Sequence, residues 1–435
     1  MAYLVAIRLL LLMLPIILIL WIMTSILKSS LLVFSIFSDS KSYNKEHFDF
    51  SSRAYKRELS RRLLNLPLIK TLTDHLVDYP TSLNLTYFWG FGSAAGIFLV
   101  VQMMSGVILA MHYTPHVSLA FLSVEHIIRD INGGWFIRHC HANGASFLFL
   151  SVYTHLFRGL YYSSYKGVRA ISWSVGVIIF ILMMACAFMG YILPWGQMSL
   201  WAANVITNLF SAFPWVGEVI VYWLWGGYSV ENATLNRFFS FHFLLPFLIT
   251  ACIILHISFI HLKGSNNPLG IANVNKISFY PYFWLKDIFG WIVLGGIYLA
   301  FIFFYPNVLG HPDNYVAANP LVTPSHISPE WYFLPFYAIL RAIPNKLSGV
   351  CLMFSGLLIL FLVPVLNLSP FYSFQFLVFQ QFSFWILIAA WFILGWVGAC
   401  APEPPFLSIG QAATLYYFAY FLFLLPFFGC IESFF

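Results

Sequence analysis

Two pairs of histidines, each set 14 residues apart, constrain this chain more than any other feature of its sequence. His141 and His155 form one pair and His242 and His256 the other, and both lie in long apolar stretches. Fourteen residues of α-helix make almost four turns and rise about 21 Å, so both members of a pair lie on one face. Each helix therefore presents one imidazole towards each side of a hydrocarbon core about 30 Å thick. Two such helices can hold two planar metal cofactors, one per leaflet, and so carry electrons across a membrane.

Four glycines repeat the same interval on the neighbouring apolar segments. Gly92 and Gly106 precede the first histidine helix, and Gly176 and Gly190 follow it. Glycine lowers helix propensity, although membrane helices also use small residues simply to pack closely. Because these glycines recur at the histidine interval, we interpret them as clearing space for a flat group such as a porphyrin edge. A single intramembrane histidine could instead belong to a proton relay or to packing, but two pairs with one spacing favour metal ligation.

The composition excludes a water-soluble globular protein. Of 435 residues, 61% are hydrophobic and only 8% are charged, and the mean hydropathy is +0.84. We therefore predict an all-α, polytopic membrane protein. Nine stretches have the length of about 20 residues that a spanning helix needs. They lie near residues 4–27, 90–112, 139–162, 174–193, 239–262, 288–307, 347–367, 376–397 and 408–428.

The distribution of positive charge predicts the orientation. If the nine spans alternate, 14 of the 21 Lys and Arg residues fall on one side and five on the other, the remaining two being in or beside the first span. The positive-inside rule places the 14 in the matrix or cytoplasm. His141 and His242 then lie near the outer face, and His155 and His256 near the inner face. Nothing in the net charge of +6 indicates a nucleic-acid partner.

Two further features have simple interpretations. The six cysteines show no CxxC or other ligand spacing, so we interpret them as buried thiols. The first 36 residues are longer than a usual signal-peptide core and lack an evident cleavage site, so we expect a retained helix, followed by a basic linker over 38–70.

A series of motifs identifies a family. In order they are GSAAG at 92–96, HANGAS at 141–146, GYILPWGQMS at 190–199, FHFLLPF at 241–247, HLKGSNNP at 261–268, HPDNY at 311–315 and PEWYFLPFYAILRAIPNK at 329–346. With the histidine spacings, they make the chain, from about Leu66 onwards, resemble the cytochrome b family of ubiquinol–cytochrome c oxidoreductase, respiratory complex III. The resemblance implies an N-terminal extension over 1–66 with one extra helix, a four-helix di-heme bundle over 67–270, and a C-terminal membrane domain over 271–435.

The resemblance also implies the heme ligands. His141 and His242 would ligate a low-potential b-type heme near the outer face, and His155 and His256 a high-potential one near the inner face. Arg138 and Arg158 match positions that meet heme propionates, a role that suits a guanidinium at the membrane boundary. Their alternative role is snorkelling to the interface.

Pro329-Glu330-Trp331-Tyr332 matches the outer quinol site of the family. Glu330 would accept a proton from bound ubiquinol, whereas without the resemblance it would be read as an interfacial charge. Tyr337, seven residues further on, would share its helical face, and Tyr191 would join the same polar route. Either tyrosine could instead anchor the membrane interface.

The inner quinone site would involve four residues of the family pattern: His261, Asp287, Lys286 and Ser93. A histidine and an acid near the inner boundary can deliver protons to ubiquinone. Lys286 and Asp287 could otherwise be an ordinary charge pair at a helix start. Gly90 stands where many relatives carry asparagine, so any contact from that side chain is lost.

The resemblance implies a bifurcated reaction. One electron from quinol would pass to a Rieske iron–sulfur protein and a cytochrome c1-type subunit, and the other through the two hemes to quinone. The chain has neither CxxCH nor an iron–sulfur cysteine set, so those centres belong to other subunits. We expect a dimeric complex in the mitochondrial inner membrane.

Two alternative functions are weighed against this one. The first is a transporter with a histidine proton relay, but the inverted repeats of such a transporter are not evident here. The second is a smaller di-heme reductase, which would not need the PEWY motif.

Two departures from the family pattern lead to separate hypotheses. Ala202 occupies a position, usually glycine, that lines the outer quinol pocket, and its methyl group should narrow the pocket for strobilurin-type inhibitors. The extension over 1–66 lies outside every motif, so we expect it to dock against neighbouring subunits or a supercomplex partner.

Overall fold

Helices form almost all of the regular structure in the computed structural model, which describes residues 66–271 and 275–434. The predicted all-α class is confirmed for this part of the chain. The predicted first span, residues 4–27, lies outside the described residues, as does the basic linker up to residue 65. The α-helices are α1 Pro67–Leu76, α2 Phe91–Ala110, α3 Ala120–Arg129, α4 Gly134–Tyr161, α5 Arg169–Ile192, α6 Gln197–Asn208, α7 Gly217–Trp225, α8 Asn232–His261, α9 Tyr282–Phe304, α10 Leu334–Arg341, α11 Lys346–Leu358, α12 Val363–Leu366, α13 Val378–Ala399, α14 Phe406–Ala419 and α15 Leu425–Ile431.

Six helical segments of the described chain are long and apolar enough to cross a membrane. They are Tyr87–Ala110, Arg169–Ile192, Asn232–His261, Tyr282–Phe304, Val378–Ala399 and Phe406–Ile431. The histidine helix α4 has 28 residues and is also long enough, but it is less apolar because it carries two arginines and three histidines. The predicted span 347–367 is not one α-helix: α11 passes into a 3₁₀ turn and then into the short α12. Pro364 lies at the start of α12 and lacks the N–H that a continuous helix would use there.

Four helices form the bundle that carries the histidines. Helix α2 packs along α4, and α5 packs along α8. Phe98, Phe147, Phe180 and Ile249, one from each helix, are at least 96% buried in a common core. Because lipid tails are as apolar as these side chains, close packing rather than exclusion of water holds the helices together.

Shorter elements, which the sequence did not predict, connect the spans. Helices α3, α6 and α7 lie in the connections after α2 and α5. Two three-residue strands, β1 Pro80–Ser82 and β2 Lys276–Ser278, pair antiparallel with Thr81 opposite Ile277. The backbone of Gly196 pairs with that of Ala317, which brings the start of α6 to the long loop before α10.

The C-terminal helices are joined through one arginine. Arg341, in the last turn of α10, donates hydrogen bonds of 2.7–2.9 Å to the carbonyls of Val397, Gly398 and Cys400. These carbonyls lie at the C-terminus of α13, where the helix dipole favours a cation. Helices α10, α13 and α14 therefore pack as one group.

Candidate redox site

The four predicted histidines form two facing pairs between α4 and α8. The ring centroids of His141 and His242 are 6.2 Å apart, and those of His155 and His256 are 6.3 Å apart. Two imidazoles bound on opposite sides of one metal ion, at about 2.0–2.1 Å per bond, have centroids separated by about 6 Å. Both pairs therefore have the separation of two axial ligands to a single metal.

In three of the four rings, those of His141, His242 and His256, the hydrogen bonds leave Nε2 available for a metal. His242 Nδ1 lies 2.8 Å from the Cys186 carbonyl, and His256 Nδ1 lies 2.7 Å from the Ser172 carbonyl. A carbonyl can only accept, so Nδ1 carries the proton in both rings and Nε2 carries a lone pair. His141 uses Nδ1 as well, in a contact of 3.0 Å with the Ser105 hydroxyl. This arrangement is typical of metal-ligating histidines, whose other ring nitrogen is fixed by a second partner.

The four glycines lie against the four histidine rings. A Cβ atom at Gly92 would come within 2.9 Å of His155, one at Gly106 within 3.0 Å of His141, one at Gly176 within 3.0 Å of His256 and one at Gly190 within 2.4 Å of His242. The missing side chains therefore make room for the imidazoles themselves. At the outer level Gly106 and Gly190 also line an apolar cavity with His141 and His242. A flat group beside the outer pair would thus meet both glycines.

The two predicted propionate partners lie next to the histidine pairs. Arg138 lines both of the cavities that His141 and His242 line. An Arg158 terminal nitrogen lies 3.1 Å from His155 Nδ1, and the Arg158 guanidinium lies over the Trp89 ring at 5.1 Å. The Nε atom of Arg158 is buried without a hydrogen-bond partner. A buried guanidinium nitrogen that lacks a partner fits the approach of a carboxylate from a bound group.

A second cavity joins the outer histidine pair to the PEWY motif. His141, His242, Tyr191, Glu330 and Tyr332 all line it. Glu330 lies in the loop between α9 and α10, outside the spanning helices. Burial raises the pKa of Glu330 to about 7, while the nearby Tyr191 hydroxyl and the Arg138 guanidinium act in the opposite direction. A carboxyl with this pKa can accept and release a proton near neutral pH.

Of the three tyrosines considered for this site, Tyr191 and Tyr332 line the outer cavity and Tyr337 does not. The Tyr191 hydroxyl is buried near the Glu330 carboxyl, and Tyr332 is 4% exposed. Helix α10 begins only at Leu334, so Glu330 precedes the helix and does not share a helical face with Tyr337. The Tyr337 hydroxyl contacts the Ile327 carbonyl at 3.5 Å instead. The cavity takes its tyrosines from α5, from HPDNY and from PEWY, namely Tyr191, Tyr315 and Tyr332.

Two of the predicted inner-site residues form a direct hydrogen bond. The Ser93 hydroxyl donates to an Asp287 carboxylate oxygen at 2.7 Å, and the Trp291 indole N–H lies 3.2 Å from the same hydroxyl. A Cβ atom at Gly90 would lie 3.0 Å from the other Asp287 oxygen. Gly90, which stands where many relatives carry asparagine, therefore leaves this second oxygen of Asp287 open.

The other two predicted inner-site residues have separate partners. Lys286 donates to the Leu85 carbonyl at 2.6 Å and lies over the Tyr87 ring at 4.9 Å. The His261 ring stacks on His75 with centroids 4.6 Å apart. His139, outside the 14-residue pattern, contacts the Trp135 carbonyl at 2.7 Å.

Sequence reasoning overlooked one residue that assembles the outer cavity. Asn314, of the HPDNY motif, lines this cavity. Its side-chain oxygen accepts hydrogen bonds from the Ser199 backbone N–H at 3.0 Å and from the Ser199 hydroxyl at 2.9 Å. It thereby links GYILPWGQMS to HPDNY. In the sequence, only the joint presence of GYILPWGQMS and HPDNY pointed to this contact. The two residues are 115 positions apart, so no local spacing predicts that they meet.

Comparison with known proteins agrees with this geometry. The family model "Cytochrome b/b6/petB" matches residues 76–264, and "Cytochrome b(C-terminal)/b6/petD" matches residues 317–418. A cytochrome b from Phytophthora megasperma is 58% identical over 84% of this chain and 96% of its own length. One from Chondrus crispus is 54% identical over 86% of this chain and 98% of its own length. A solved structure titled "Hyperthermophilic respiratory Complex III" matches with a TM-score of 0.81 and 33% identity, covering 86% of this chain and 100% of that one. The chain therefore belongs to the cytochrome b family, as the heme-binding redox subunit of a respiratory complex III.

Proposed function

We propose that this chain holds two b-type hemes and uses them between an outer site that oxidises ubiquinol and an inner site that reduces ubiquinone. The observation that carries the proposal is the presence of two imidazole pairs whose centroids, 6.2 and 6.3 Å apart, have the separation of two histidines that bind one metal ion. The chain is an integral membrane protein and the quinol-oxidising subunit of a quinol–cytochrome c reductase.

The residues present fit the two proposed cofactors. His141 and His242 would hold one heme, and His155 and His256 the other. Each pair supplies two ligands, which suits a metal whose other four ligands come from a macrocycle. Bound there, the hemes supply one-electron carriers on the two sides of the membrane. Arg138 and Arg158 would bind their carboxylates through guanidinium forks.

At the outer site, Glu330 would take a proton from quinol. Its carboxyl lines the same cavity as the outer histidine pair, so quinol bound there lies close to both a base and an electron acceptor. The buried Tyr191 hydroxyl lies near Glu330 and would hydrogen-bond to its carboxyl or to bound quinol. Tyr332 forms part of the cavity wall and is stacked on Phe149 with centroids 4.1 Å apart, which fixes the shape of the site.

At the inner site, the hydrogen-bonded pair of Ser93 and Asp287 would supply a proton to quinone. The Ser93 hydroxyl holds one carboxylate oxygen, and the glycine at position 90 leaves the other open. We propose that His261 and Lys286 complete this site, with His261 towards the inner surface. Tyr337 remains a candidate for the outer proton route, although it does not line the outer cavity.

The family assignment implies a multi-subunit complex, and we propose its closest partners. A Rieske iron–sulfur protein would take the first electron at the outer site, and a cytochrome c1-type subunit would receive it. We further propose a dimeric complex in the mitochondrial inner membrane, in agreement with the eukaryotic relatives.

Changing Asp287 to asparagine tests the inner site directly. With the outer site blocked, quinol can reduce the inner heme only through the inner site. We expect Asp287→Asn to slow this reduction about 10²-fold, because the amide keeps the Ser93 contact but cannot exchange a proton at neutral pH. Rapid-mixing spectroscopy of the purified complex measures this rate. Asp130→Asn, at an exposed acid paired with His126, is the control. An unchanged rate in Asp287→Asn would contradict the inner-site assignment.

The inhibitor hypothesis concerns Ala202, which is 5% exposed in α6 and does not itself line the outer cavity that Glu330 and Tyr191 line. Fitting an inhibitor against an extra methyl group in a packed wall costs about 1–3 kcal/mol. Ala202→Gly should therefore bind strobilurin-type inhibitors about 5- to 150-fold more tightly, while quinol turnover changes little. The measurement is the inhibitor concentration that halves quinol–cytochrome c reductase activity. Equal sensitivity of parent and variant would exclude this role for the methyl group.

A further inference from the structure

A third pair of residues on α5 repeats the 14-residue interval next to the histidines. Ser172 and Cys186 each lie four residues before one of the helix glycines. Each gives its main-chain carbonyl to a histidine Nδ1, at 2.7 Å for His256 and 2.8 Å for His242. Each also brings its side chain to the same ring nitrogen. The Ser172 Oγ lies 3.4 Å from His256 Nδ1, and the Cys186 Sγ lies 3.5 Å from His242 Nδ1.

The two side chains differ in their ability to accept a hydrogen bond. The Ser172 hydroxyl donates to the His256 carbonyl at 3.1 Å, so its oxygen lone pairs remain for the imidazole N–H. Sulfur is a weak acceptor, and the Cys186 Sγ lies 3.9 Å from the corresponding carbonyl. The inner ligand His256 thus has a carbonyl and a hydroxyl at Nδ1, whereas the outer ligand His242 has a carbonyl and a thiol.

We propose that Ser172 and Cys186 are positioning residues that adjust the midpoint potentials of the two heme centres in opposite directions. This inference rests on the two-heme function proposed above. A stronger acceptor at Nδ1 makes the imidazole a more basic ligand, which stabilises the oxidised iron and lowers its potential. Cys186 therefore keeps the outer centre at a higher potential than serine would. The outer centre then accepts an electron from quinol more readily.

Reciprocal substitutions test the proposal by potentiometry of the purified complex. Cys186→Ser should lower the midpoint of the outer b-type component and leave the inner one unchanged. Ser172→Cys should raise only the inner midpoint. Electron paramagnetic resonance of the oxidised complex should show a change confined to the same centre in each variant. Cys351→Ser, which makes the same chemical change at an exposed thiol on α11, should shift neither midpoint.

Each remaining outcome has a definite meaning. Unchanged midpoints in both variants, or shifts of the opposite sign, would overturn the proposal. If Cys186→Ser loses the outer component, Cys186→Ala provides the second test, since it keeps the carbonyl and removes the thiol. It should retain a midpoint at least as high as that of the parent, and a lower midpoint would overturn the proposal. Absence of b-type bands from the unmodified complex would instead reject the proposed two-heme function.

Discussion

Replacing Gly190 with alanine is expected to remove the outer b-type component from the visible spectrum while leaving the inner one. A Cβ atom at this position would lie 2.4 Å from Cε1 and 2.9 Å from Nδ1 of His242. The ring cannot move away without losing its 2.8 Å bond to the Cys186 carbonyl. Forcing a methyl group into a packed site typically costs about 1–3 kcal/mol, and here the displaced group is a proposed metal ligand.

The measurement is the amplitude of each b-type component in the purified complex. Alanine favours a helix over glycine by about 1 kcal/mol, so destabilisation of α5 itself would not explain the loss. Gly96→Ala on α2 is the matched control, because a Cβ atom there would have no heavy atom within 4 Å. We expect the control to retain both components. Two components at the parental midpoints in Gly190→Ala would show that His242 does not bind the outer heme in this position.

Replacing Glu330 with glutamine is expected to slow quinol oxidation about 10²- to 10⁴-fold and to abolish its pH dependence near neutrality. The proposed base must be deprotonated to accept a proton. Because burial raises the pKa of Glu330 to about 7, the rate in the parent should rise as the pH increases through about 7 and level off above it. Glutamine keeps the shape of the side chain but has no proton-accepting form in this range.

Steady-state quinol oxidation measured between about pH 5 and pH 9 tests this prediction, since that window spans the raised pKa. Glu218→Gln, at an exposed acid in the first turn of α7, is the control and should keep the parental profile. An unaltered inflection near pH 7 in Glu330→Gln would assign the titration to another group. The heme spectra of both variants should match the parent, which separates a proton-transfer defect from loss of cofactor.

The histidine pairs could be predicted from sequence because a long helix has rigid local geometry. A 14-residue spacing fixes which side chains share a face, and the two centroid distances agree with that expectation. The group that lies next to Gly190, in contrast, could not be predicted from the sequence. What occupies it depends on how α5 and α8 are rotated against each other, and only the structure shows that the His242 ring lies there.

Predictions that depended on irregular segments were less accurate in detail. The relation between Glu330 and Tyr337 assumed a helix across the motif, but α10 starts at Leu334, so the helical period does not apply. The His75 ring stacked on His261 could not be anticipated, because that contact depends on how the chain before α2 folds back. Segments without a regular period provide no local rule from which such contacts can be derived.

A potentiometric titration of the visible spectrum tests most directly whether the two pairs of histidines hold two distinct hemes, as we propose. The purified complex would be titrated in the parent form and as His242→Ala and His256→Ala. We predict two b-type components with separate midpoints in the parent, loss of the lower-potential one in His242→Ala and loss of the higher-potential one in His256→Ala. A single component in the parent, or no b-type band at all, would contradict the account and favour a proton-relay or packing role for these histidines.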